Sequence, residues 1–176
     1  MALLQNLQRF FAEPAAESSI GLLYRACVAQ ARETAFYASL KVPDTVDGRF
    51  DLLLLHVVLV MRRLGDATAR QQLFDLMFVD MDQNLREMGV GDMSIGKKMK
   101  VMIAAFYGRA QAYEKALAED DAALTAVLVR NLYGTVQPAP DVTTSITAYV
   151  RRAVAALDRQ SPEDLIAGRV EFAKPV

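Results

Sequence analysis

The sequence predicts an all-α protein, a single-domain bundle of about six to seven helices. Apolar residues recur at helical spacing along most of the chain, and no segment shows a convincing period-two alternation. Hydrophobic residues make up 53% of the chain against only nine glycines and six prolines, which excludes a disordered polymer. A chain of 176 residues suits one domain and buries roughly 70% of its unfolded surface, so it needs no covalent staple.

The elements follow in order. "ALLQNLQRFF" (2–11) is a short amphipathic segment that stops near Pro14, so residues 1–17 form an N-terminal extension to a helical domain at 18–168. Ser18 or Ser19 caps a helix running to about residue 40, with Ile20, Tyr24, Cys27, Ala31, Ala35 and Ala38 on its inner stripe. Pro43-Asp44 marks a turn. Residues 48–64 are apolar almost all round, the pattern of a central buried helix. Residues 67–88 form a third long helix, and Gly89 suits the left-handed residue that ends it. Residues 94–117 form a fourth, roughly 36 Å long. Two more helices follow at about 121–133 and 143–158, separated by the loop "GTVQPAPDV". A short last helix is capped by Ser161 and opened by Pro162. The tail at 169–176 is expected to be loose.

Composition narrows the functional classes. The net charge of −1 and pI of about 5.9 make no case for DNA or RNA binding through overall charge, so any basic partner surface is local. One cysteine, Cys27, excludes an intramolecular disulfide and fits a reducing compartment. The most apolar run, "LLLLHVVLVM" (52–61), is about half the length of a membrane span. The start of the chain lacks the long apolar core of a secretory signal. These features together predict a cytoplasmic protein, with a contact at the inner face of the membrane left open.

The stretch "LREMGVGDMSIGKKMK" (85–100) asks for a function, because a Met-rich helix runs into two glycines and then three lysines in four residues. A phosphate loop would need Ser or Thr after the Gly-Lys pair and a strand before it. Here Lys98 follows Gly96-Lys97 and a helix precedes them, which argues against nucleotide binding. On a helical wheel Met99, Phe106 and Tyr113 head an inward stripe about 100° wide. Lys97, Lys100, Val101, Ala104, Gly108, Gln111 and Lys115 occupy the opposite face. That face is either an ordinary solvated lysine face or a docking face for an acidic or helical partner. Ser94 or Asp92 is expected to cap the helix, and Asp82 pairs with Arg86 at the favourable i, i+4 spacing. Asp80, at the edge of the apolar stripe, caps or bridges to a neighbouring helix.

Catalytic and metal-binding patterns are lacking. The one histidine, His56, sits within the apolar run and cannot build a multi-histidine metal site. It reads as a hydrogen-bonded core or boundary residue, and Cys27 as a small core residue; an enzyme using a Cys27–His56 couple is conceivable, but nothing marks Cys27 as activated. No acid pair is arranged for proton transfer. No cofactor is implied.

"FDLLLLHVVLVMRRL" (50–64), "MDQNLREMGVGDMSIGKKMK" (81–100) and "AFYGRAQAYE" (105–114) resemble the ubiquinol–cytochrome c chaperone family, over about residues 20–135. The resemblance implies an all-α, non-enzymatic assembly factor. Its client would be newly made cytochrome b, held for assembly into ubiquinol–cytochrome c reductase, with a small partner protein and the ribosome as further contacts. The short chain without a presequence looks like a bacterial member, for which those two contacts need not carry over. The motif places the client-binding surface on Asp82, Arg86, Asp92, Lys97, Lys100, Tyr107, Gly108 and Arg109. The alternative is a membrane-peripheral module binding lipid or quinone, suggested by the amphipathic N-terminus and the apolar helix.

Overall fold

A computed structural model describes residues 18–175. The amphipathic segment at 2–11 and the extension at 1–17 lie outside the described residues. Among those described there is no strand, and the all-α expectation holds. The helices are α1 (Ser19–Ala31), α2 (Thr34–Ala38), α3 (Val46–Arg63), α4 (Ala67–Glu87), α5 (Asp92–Leu117), α6 (Asp121–Leu128), α7 (Pro140–Asp158) and α8 (Pro162–Ile166). A π-helical turn, Val129–Tyr133, extends α6.

Helix α3 is the centre. Every residue from Phe50 to Val60 is buried, so it needs neighbours on all sides. It has them in α1, α4, α5, α7 and the π turn. The Thr45 hydroxyl caps α3 by accepting from the Gly48 amide. Gly48 has to be small, because a Cβ there would lie 2.1 Å from the Pro43 carbonyl oxygen. Helix α1 packs on α3 and α4, and the Tyr24 hydroxyl donates to Asp80 on α4 at 2.6 Å. Asp80 therefore bridges helices.

Four expectations are corrected. The helix from Ser18 does not run unbroken to residue 40. Its hydrogen bonds tighten at its C-terminus, where the Glu33 amide bonds Gln30 O, and Glu33 leaves helical geometry (ψ 123°). The break rotates the chain so that Phe36, not Ala35 or Ala38, enters the core, edge-on to His56 (5.3 Å) and Tyr149 (4.9 Å). Burying an aromatic ring outweighs keeping one continuous helix. Neither Ser94 nor Asp92 caps α5, since Gly91 holds that position without a side-chain bond. Helix α7 begins at Pro140 rather than 143, with the proline in the first turn where its missing N–H is harmless.

The tail is not loose. Gln160 clasps Glu171 through two backbone hydrogen bonds of 2.8 Å, and Gln30 donates to Ala173 O at 3.0 Å. The Phe172 ring stands edge-on to His56 at 5.5 Å. Partly buried glutamine side chains on other elements thus give a nominally irregular segment fixed places to bond.

Candidate client-binding surface

The α4–α5 hairpin carries the residues singled out by the motif. Gly89 ends α4 with φ +80°, a conformation that disfavours any side chain with a Cβ. Across the turn Arg86 Nε donates to Asp82 at 2.7 Å and Arg86 Nη1 to Asp92 at 2.6 Å. Arg86 therefore ties the end of α4 to the first turn of α5. The two carboxylates hold its guanidinium above the ordinary arginine range, Asp82 contributing most. The pairs are solvent-exposed, so each contributes at most about 1 kcal/mol to holding the turn.

Lys97 and Lys100 point the other way. Both are exposed on α5, as are Val101, Ala104, Gly108, Gln111 and Lys115 on the same face. Nothing lies within 4 Å of a Cβ placed on Gly108. Four of the chain's six lysines sit on α5, yet every ion pair among the described residues uses an arginine. The lysine face is thus free to pair with something else. It also carries apolar groups: Met93 is 92% exposed and Val101 69%. On the opposite side of the helix Phe106 and Tyr113 are buried, as the wheel requires.

Tyr107 is 59% exposed and stands at the lip of an aromatic cluster, with its ring centroid 5.6 Å from Phe74 and 5.7 Å from Phe106. Arg109 does not share the lysine face. One helical step past Gly108 it turns inward, and its Nη2 meets the Asp51 carboxylate on α3 at 3.1 Å. Burial pushes the Asp51 carboxyl up to about 6, against the pull of Arg109. Beside this pair Tyr113 Oη, Asn131 Nδ2 and Arg109 Nε are buried without a well-formed hydrogen bond, although Asn131 adjoins the Tyr113 hydroxyl. Neither this polar cluster nor the aromatic groove by Tyr107 was foreseen. Asp51 beside a run of four leucines was a signal for the first, but its partner lies 58 residues away.

His56 is fully buried and spoken for. Its Nδ1 lies 2.8 Å from Leu52 O, so that nitrogen carries the proton, and Nε2 accepts from the Tyr149 hydroxyl at 2.6 Å. Gln30 donates in turn to Tyr149. Burial lowers the His56 imidazole to about 4 and raises the Cys27 thiol to about 12. A thiol held protonated in the core is a poor nucleophile.

The family described as "Ubiquinol-cytochrome C chaperone" matches residues 38–172. Over 149 residues the chain is 28% identical to the mouse "Ubiquinol-cytochrome c reductase complex assembly factor 1", covering 82% of this chain and 50% of that one. It is 29% identical over 154 residues to the Saccharomyces cerevisiae "Protein CBP3, mitochondrial", covering 81% and 46%. The chain thus spans about half the length of these curated relatives. The crystal structure of a Cbp3 homologue from Brucella abortus superposes with a TM-score of 0.80 at 36% identity, covering 98% of this chain and 97% of that one.

Proposed function

Because the chain belongs to the ubiquinol-cytochrome C chaperone family, we propose that it is an assembly chaperone for ubiquinol–cytochrome c reductase, holding newly made cytochrome b before the complex forms. The observation that carries this reading is the outer face of α5, where unpaired lysines are interleaved with exposed apolar residues beside the Arg86 contacts of the turn. Such a face suits a partner that is part apolar and part acidic. Lys97, Lys100, Tyr107 and Gly108 form the contact itself, whereas Asp82, Arg86 and Asp92 hold the hairpin and Arg109 anchors it to α3.

The role is binding rather than catalysis. His56 and Cys27, which a nucleophilic mechanism would need, are both engaged in packing. The place of work is the inner face of the membrane in which cytochrome b resides. No helix among the described residues is long and apolar enough to cross a membrane.

The test is affinity capture from native membranes, with wild type compared against Lys97→Glu/Lys100→Glu. Captured cytochrome b should fall by about tenfold, the loss expected when charges central to an interface are reversed, while the unfolding midpoint stays at the wild-type value. Equal capture by both would move the contact off α5. No capture by either would overturn cytochrome b as the client.

A further inference from the structure

We infer that the groove beside Tyr107 is an anchor pocket for a helical segment of a protein partner, one that carries a large apolar residue flanked by acidic groups. The groove has a volume of about 510 Å³ and lies between the end of α3, the start of α4 and the middle of α5. Val58 and Phe106 form its buried floor, Met61 and Phe74 its walls, and Tyr107 and Gln111 its lip.

Three observations identify the occupant. The first is shape. The groove is concave and aromatic, and Phe74, Phe106 and Tyr107 present edges and faces to it at centroid separations of 5.0 to 5.7 Å. A flat bilayer cannot fill such a depression, whereas a projecting Phe or Leu can. The second is continuity. Tyr107 and Gln111 belong both to the groove and to the edge of the lysine face, so a segment anchored in one lies over the other. The third is charge. Lys97, Lys100 and Lys115 border that path on α5 and Arg70 borders the groove on α4, none of them in an ion pair among the described residues. Glu114 is the one acid lining the groove. An acidic partner would gain attraction here without displacing any existing ion pair.

The inference rests on the chaperone reading for the existence of a client, but its test uses no cytochrome b, so the two fail separately. The probe is a fluorescein-labelled helical peptide of about 20 residues, long enough to hold a helix, with glutamates around a single phenylalanine on one face. Anisotropy would be measured with the full chain. Replacing the phenylalanine by alanine, or filling the groove with Gln111→Trp, should each weaken binding by about tenfold or more, as loss of a central anchor does. Tyr107→Ser, which removes the lip, should act in the same direction. Thermal unfolding of Gln111→Trp should match wild type, since Gln111 is exposed, and Tyr107→Ser should stay cooperatively folded while losing the ring contacts to Phe74 and Phe106.

Equal binding of the two peptides would show attraction by charge alone and overturn the anchor pocket. Unchanged binding by both Gln111→Trp and Tyr107→Ser would place the peptide elsewhere and overturn it as well. Failure to bind the peptide, with co-sedimentation on phosphatidylglycerol vesicles instead, would make the surface a bilayer contact. If the peptide binds at the groove and cytochrome b is never captured, the anchor pocket stands and the client assignment falls.

Discussion

Two buried titratable residues on α3 respond to pH in opposite directions. The imidazole of His56 falls from its usual 6.5 to about 4 on burial. The unfolded chain therefore binds more protons between those values, and the stability from keeping His56 neutral is lost as pH falls through that window. The carboxyl of Asp51 rises from 3.8 to about 6, so the folded chain binds more protons there and stability is lost as pH rises through it. The two contributions partly cancel between about pH 4 and 6. Replacing Asp51 by Asn removes one of them. Urea unfolding of Asp51→Asn should show a steeper loss of stability on acidification than wild type, by roughly 1 to 3 kcal/mol across the window. Parallel profiles would mean that Arg109 holds Asp51 ionised throughout. The histidine was readable from sequence as a bonded core residue because its neighbours are all apolar. Its partner Tyr149 was not, since 93 residues separate them.

Within the α4–α5 hairpin, two glycines predict opposite outcomes. Gly89 sits at φ +80° with open space around it, so Gly89→Ala introduces backbone strain alone and should destabilise by about 1 to 2 kcal/mol. Gly108 lies inside α5 with nothing above it, so Gly108→Ala should stabilise by up to about 1 kcal/mol through helix propensity. Urea midpoints of both variants test this. A lower midpoint for Gly108→Ala would mean that a neighbour already occupies the space over the helix. The hairpin's existence, its left-handed Gly89 and the face of α5 that packs were all legible, because each depends on residues within a few turns of one another. The Arg86–Asp92 contact and the inward turn of Arg109 were not, because the first depends on the angle between two helices and the second on where α3 lies.

Across the whole molecule, closure of the fold involves its last described residues. Phe172 packs edge-on against His56, and the backbone of residues 171–175 answers side chains from α1, α7 and Gln160. Phe172→Ala should lower stability by about 2 kcal/mol, below the range for a fully buried ring because Phe172 is only partly buried. Chemical denaturation measures it, and an unchanged midpoint would return the segment to the loose tail that the sequence suggested. The same scale shows how the charges divide. Arginines bridge the helices while three of the six lysines lie unpaired on the outer face of α5, a division in keeping with the forked guanidinium's aptitude for fixed ion pairs.

The sequence by itself determined the helical class, the central place of α3, most helix ends and the two faces of α5. These follow from periodicity, capping and turn chemistry, which act over fewer than about ten residues. The tertiary structure alone decided that α1 breaks so Phe36 can enter the core and that Asp51 meets Arg109. It also decided that the tail seals His56 and that a groove opens beside Tyr107. Each of those depends on which distant side chains are brought within a few ångströms, and side-chain packing carries no period that one strand of text can display.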